Sequence, residues 1–173
     1  MNLIELDSDA PDEATKIISA DVPDWTREAV RQFWDPSRKL LATIRAHERL
    51  CQRTGFITTF ARKLLIIRHR FWSVVTGADI PLNCQIGGGL LIPHPNGIVV
   101  HPDAVIGVNC LIFQQVTIGS RGHGGLPIIE GHVDIGAGSK LLGPIKVGKH
   151  ARIGANCVIT KDVPAETAAV GKE

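Results

Sequence analysis

Apolar positions along this chain follow two periods, and the change between them falls near residue 76. In DWTREAVRQFW, Trp25, Val30, Phe33 and Trp34 recur at helix-like intervals behind Asp24, a candidate N-cap, and predict a first helix. Pro36 interrupts it. SRKLLATIRAHERL then sets Leu40, Leu41, Ile44 and Leu50 on one side of a second helix, with Gly55 as its stop. FITTFARKLLIIRHRFWSVV reads as a third, apolar at Phe56, Phe60, Leu64, Ile67, Phe71 and Val74. Its Arg62, Lys63, Arg68, His69 and Arg70 read as a solvated face.

After Gly77 the step becomes six. Aliphatic residues stand at Ile80, Ile86, Ile92 and Ile98, and after a two-residue shift at Val100, Ile106, Ile112 and Ile118. Following a break over 119–128 they return at Ile129, Ile135, Leu141, Val147, Ile153 and Ile159. The fourth residue after an anchor is usually small or compact (Cys84, Ala104, Cys110, Val116, Val133, Ser139, Ala151, Cys157, Val163), and glycine often follows the anchor directly (Gly87, Gly107, Gly119, Gly136, Gly148, Gly154). This is the hexapeptide pattern of a parallel β-helix, in which each hexad supplies one flat face and one corner. The expected organisation is therefore an N-terminal helical segment, 1–76, and a mainly β domain, 77–173, interrupted by a loop at 119–128. Glycine is expected at the corners for its conformational freedom.

Composition narrows the class. Nineteen Lys+Arg against seventeen Asp+Glu leave a net charge of +2, which argues against a nucleic-acid or membrane-surface binder. No apolar run is long enough for a transmembrane helix, and the acidic opening MNLIELDSDAPDEAT is unlike a signal peptide, so a cytoplasmic protein is expected. Cys84, Cys110 and Cys157 fall on the small inward position and read as filler. The absence of CxxC excludes a zinc-ribbon spacing. Chemistry is expected where the period breaks: in PHPNGIVVHP and in GSRGHGGLPII.

On those segments the chain resembles the hexapeptide-repeat acyltransferases, and within them the serine O-acetyltransferases. The similarity is most specific over GADIPLNCQIGGGLLIPHPNGIVVHPDAVIGVNCLIFQQVTIG and EGHVDIGAGSKLLGPIKVGKHARIGANCVITKDVP. It implies a left-handed coil and a homotrimer whose active sites lie between subunits, with acetyl-CoA as co-substrate and no metal. By resemblance His94 is the general base and Asp79 the carboxylate that orients it, a triad without its nucleophile. Gly119, Ala137, Gly138 and Ala155 match coenzyme-contacting positions, with Lys140 and Lys161 near its phosphates. Pro93, His101, Arg121 and His123 are the candidate acceptor contacts.

Two departures bear on the acceptor. Pro93 replaces an aspartate, and Gly125 and Leu126 stand where the family carries the Arg-His pair that clamps an amino-acid carboxylate. Without those charges a neutral acceptor is expected, a sugar or glycan precursor of polysaccharide biosynthesis, with serine O-acetylation for cysteine biosynthesis as the alternative. Readings of another kind are a carbonic anhydrase-like trimeric zinc enzyme using His94, His101 and His123, and an inactive scaffold. His47, His69, His132 and His150 read as surface residues.

Overall fold

The computed structural model describes residues 18–122 and 124–170. A strap leads from Ile18 to a short 3-10 turn, Trp25–Arg27, and on to two helices, α1 (Pro36–Cys51) and α2 (Phe56–Thr76). Twelve short strands follow: β1 (Gln85–Ile86), β2 (Val99–Val100), β3 (Val105–Ile106), β4 (Leu111–Ile112), β5 (Thr117–Gly119), β6 (Ile128–Ile129), β7 (Asp134–Ile135), β8 (Lys140–Leu142), β9 (Lys146–Val147), β10 (Arg152–Ile153), β11 (Val158–Ile159) and β12 (Ala168–Ala169). They form three parallel four-stranded sheets: sheet A is β1-β3-β6-β9, sheet B is β4-β7-β10-β12 and sheet C is β2-β5-β8-β11. The chain visits A, B and C in turn, and a three-sided prism results.

The length of each coil locates every irregularity. Gln85 pairs with Val105, twenty residues on, Val99 with Thr117 at eighteen, and Leu111 with Asp134 at twenty-three. Asp134 then pairs with Arg152 at eighteen, and Val147 bridges Val163 at sixteen. The two extra residues of the first coil lie at the B/C edge, in Pro93–Gly97. The five extra ones lie at the C/A edge, in the 119–127 loop. This register moves two residues from where the ladder put them. Ile98 joins the small column, beside Val116, and Val163 takes an anchor place. The anchors are sealed: Ile106, Ile112, Ile118, Ile129, Ile135, Leu141 and Val147 are at most 1% exposed.

Glycine is needed after the anchors for closeness, not for strained dihedrals. A Cβ on Gly107 would stand 2.5 Å from the Glu130 carbonyl carbon, and one on Gly136 would stand 2.6 Å from the Ala155 nitrogen. Left-handed backbone comes two residues later and is mostly carried by larger residues: Asn109, Gln115, His132, His150, Asn156 and Glu166 all have φ between 55° and 59°. His132 and His150 stack on successive coils with Nδ1 atoms 2.7 Å apart and are half-buried, so they are less exposed than their hexad position predicts.

The helical region departs more from expectation. The first expected helix is reduced to the 3-10 turn. Asp24 does cap it, accepting from Thr26 N at 3.1 Å. Beyond it, side chains are committed to the prism: Arg27 donates to the carbonyls of Gly89 and Asn109, while Val30, Phe33 and Trp34 stay exposed, so a helix there would bury no apolar face. Glu28 and Arg45 form a buried ion pair that joins strap, α1 and prism. Arg45 donates to Glu28 Oε1 and Oε2 at 2.8 and 2.9 Å and to the carbonyls of Ile86 and Gly87 at 2.7 and 2.8 Å. Glu28 Oε1 also accepts from Leu90 N. Burial alone would lower the Arg45 pKa, but its bonds and attraction to Glu28 and Glu48 outweigh it and raise it. Leu40, Leu41 and Ile44 bury as expected. On α2 the buried residues are Trp72 and Thr76, and the expected apolar line faces outward. Helix α2 ends on left-handed Gly77, and His69, far from being solvated, meets the Ile80 carbonyl at 2.8 Å.

Candidate active site

The widened corner Pro93–Gly97 exists because two residues more than a hexad must turn between β-sheets B and C. His94 projects from that bulge, exposed, and its ring lies over Phe113 of the next coil, 6.5 Å between centroids and 26° from parallel. Phe113 is the sole aromatic residue after 76 in the sequence, a signal that marks it out once the prism is recognised as too narrow for rings. Below the bulge, Asn96 O accepts from Gln115 N at 2.9 Å and Gly77 O from Gly97 N at 2.8 Å, so the turn is held from both sides. A cavity of about 430 Å³ opens beside it, lined by Pro36, Ser37, Val75, Thr76, Pro93, His94, Pro95 and Asn96. Helix ends therefore form one wall and the bulge the other. His94 is the only ionisable side chain among these lining residues.

Asp79 is the first residue of sheet C: its N–H donates to Ile98 O and its carbonyl accepts from Val100 N. Its side chain is exposed and, among the described residues, makes no hydrogen bond with His94. The structure thus puts both members of the proposed dyad on the first coil without joining them.

The remaining candidates divide between the two edges of sheet C. Ala137, Gly138 and Ala155 stack above His94 and Phe113 at the B/C edge, linked by Gly138 N to Gln114 O and Asn156 N to Ala137 O. Lys140 leans to the same edge, its Nζ donating to Gln115 O at 2.5 Å. His101, Gly119 and Arg121 belong to the C/A edge, with exposed Lys161 in the last coil. His101 Nδ1 accepts from Asp103 N at 3.2 Å and faces away from His94. His123 lies outside the described residues. Within one chain the three histidines of the zinc reading are not gathered, since His94 and His101 occupy opposite edges.

Two glycines matched to the coenzyme differ in why they are glycine. A Cβ on Gly138, at φ 74°, would overlap Asn156 Oδ1 at 2.1 Å, so the coil itself demands it. A Cβ on Gly119 would meet nothing within 4 Å, which leaves open space at the mouth of the loop. Small residues at 137, 155 and 119 are compatible with a pantetheine arm running along the coils. The inward thiols are inert filler: burial, helped by Asp79 and Asp103, pushes Cys84 up to about 12, and burial pushes Cys110 up to about 11.

A three-sided prism of hexads, widened at two corners with His94 in one of them, is the build of a hexapeptide-repeat protein. No family model matches the chain. Serine acetyltransferase of Helicobacter pylori is 35% identical over 151 residues, covering 83% of this chain and 85% of that protein. The Mycobacterium tuberculosis and Escherichia coli serine acetyltransferases are 40% and 42% identical over 114 and 113 residues, 64% of this chain in each case. The chain spans half or less of the length of these two relatives, 50% and 41%. Soybean serine acetyltransferase apoenzyme superimposes with a TM-score of 0.67 at 36% identity, covering 79% of this chain and 55% of that one. A serine acetyltransferase complex with CoA gives 0.65 at 33%, covering 80% and 55%. This chain belongs to the serine acetyltransferase family, and its prism is the left-handed β-helix of those neighbours. The relatives are named for serine, and none of them supports the polysaccharide reading.

Proposed function

We propose that the protein transfers an acetyl group from acetyl-CoA to a hydroxyl, with His94 as general base. The observation that carries this reading is an exposed imidazole in the widened corner, backed by Phe113 and opening on a cavity, in a chain of this family. The acceptor oxygen attacks the thioester carbonyl, its proton passes to His94, the C–S bond breaks, and the imidazolium returns the proton to the leaving thiolate. No acyl-enzyme is required. Asp79, one strand away, orients the imidazole once its side chain turns toward it, and Lys140 meets coenzyme phosphate. Because His94, Ala137 and Ala155 lie on one edge of sheet C and Gly119 and Arg121 on the other, a complete site needs the B/C edge of one chain against the C/A edge of another. That arrangement is what a cyclic homotrimer supplies.

The relatives point to L-serine as acceptor and to cysteine biosynthesis. A specific observation favours a second reading, a neutral hydroxyl compound: the cavity has no ionisable group besides His94 to meet an ammonium or a carboxylate. None of the described helices is long and apolar enough to cross a membrane, and a cytoplasmic setting suits both acceptors. The test is thiol release from acetyl-CoA with L-serine and with uncharged polyols and sugars, beside His94→Asn. Turnover falling about 10²- to 10⁴-fold in the variant supports the base assignment. Equal turnover in the variant refutes it, and the preferred acceptor decides between the readings.

A further inference from the structure

Charge is segregated in this molecule. Residues 31–76 carry ten Lys+Arg and two Asp+Glu, a net +8, while the rest of the chain sums to −6. Helix α2 has four of those cations and no acidic residue. At 100° per residue, Phe56, Phe60, Leu64, Ile67, Phe71 and Val74 share one stripe, opposite buried Trp72 and Thr76. Among the described residues nothing covers the stripe: Phe56 is 90% exposed, Val74 83% and Ile67 65%. Lys63 and Arg70 flank it on one side and Arg68 on the other. None of the three has an ion-pair partner among the described residues. Beside the stripe, α1 and α2 enclose a groove of about 440 Å³ with an alanine and leucine floor and Arg49, Arg53 and Arg68 at its rim.

We infer that this face of α2 lies on the surface of an anionic phospholipid bilayer, an interaction independent of the acetyl-transfer reading. An apolar stripe bordered by cations is what a helix in the interfacial plane presents: the rings enter the acyl boundary while the arginines and lysine meet phosphates. The groove offers the same two chemistries, an apolar floor for a chain and guanidinium groups for its headgroup. Charge decides against a second copy of this chain, because two +8 hairpins laid stripe to stripe would bring Lys63, Arg68 and Arg70 against their own counterparts. It decides against nucleic acid because the centre of the face is phenylalanine, isoleucine and valine, with no hydrogen-bonding groups for a phosphate backbone.

The test is co-sedimentation of the full chain with vesicles of phosphatidylcholine alone and of phosphatidylcholine mixed with phosphatidylglycerol. Binding is expected to the mixed vesicles and to weaken with salt. Removing one cation by Lys63→Gln or Arg70→Gln is expected to lower the partition constant about fivefold. The pair Phe60→Ser and Ile67→Ser, at positions 59% and 65% exposed, is expected to abolish binding while leaving thiol release with a soluble acceptor unchanged. Absence of preference for the anionic vesicles overturns the inference. So does an assembly of the wild-type chain that the serine pair dissociates, which would assign the stripe to another copy, or retention on DNA without binding to vesicles.

Discussion

The prism and the helical hairpin are built from similar proportions of aliphatic residues and put them to opposite use. In the prism each anchor stacks on the one a coil below, and side chain, glycine and turn are all dictated by the next rung. Of the hairpin's large apolar residues only Leu40, Leu41, Ile44 and Trp72 are sealed, and a longer apolar line on α2 is left outside. One region is over-determined by its own neighbours. The other is held to the first at a few points, the chief of them Glu28–Arg45, and keeps a surface for something else.

The sharpest break in this contrast is at that joint. Glu28→Ala leaves buried Arg45 with only the more exposed Glu48 as an anionic partner, and is expected to cost up to about 3–5 kcal/mol in urea unfolding. Gly107→Ala, which drives a methyl into the backbone of the next coil, is expected to cost about 1–3 kcal/mol. Gly119→Ala meets open space and is expected to leave the midpoint unchanged. Ile67→Ala on the α2 stripe is expected to change stability by less than about 0.5 kcal/mol, in contrast to Ile112→Ala in the core at about 2–5 kcal/mol.

Smaller effects separate the edges. His132 is held below its ordinary pKa of 6.5, chiefly by burial, with His150, Arg27 and Arg152 adding to this and Asp134 opposing it. A depressed histidine stabilises the fold fully above the unfolded-state value and loses that contribution as pH falls through the folded one. Stability is therefore expected to decline gently from pH 7 toward 5, and His132→Asn, which keeps the left-handed backbone as Asn109 does, to flatten the slope. Of the four thiols, Cys51 alone is exposed, and it is expected to be the single one that reacts rapidly with a thiol reagent in the native protein.

The prism could be read from the chain because a six-residue period has few physical realisations. The handedness came from resemblance, and the register of Ile98 and Val163 was missed because a two-residue insertion or deletion leaves an aliphatic residue inward either way. On the helices the period was visible and its direction was not: amphipathicity says that a stripe exists, not whether it faces the core. Nothing in the sequence around Arg45 announces a partner seventeen residues back. At the site, the broken period marked the segment PHPNGIVVHP, and the resemblance singled out His94 within it. The split of its companions between two edges of sheet C became visible only once the coils were wound. The balanced net charge hid the hairpin's +8 by averaging it with the rest.

The strap along the A/B edge has a consequence for the order of folding. Asn109 holds it by donating to Ser19 O and Val22 O at 2.7 and 2.8 Å and accepting from Asp24 N at 2.8 Å, and Asp21 pairs with Lys149. Those partners lie 85 to 128 residues downstream. Asn109 stands on the second coil and Lys149 on the fourth, so the segment synthesised early is fully fastened only after the fourth coil has been wound, and its long-range contacts are expected to form after the folding transition state. Loosening the clasp with Asn109→Gly would speed unfolding and leave the refolding rate as it is. The strap acts as a latch on the lifetime of the native state, not as a guide to reaching it.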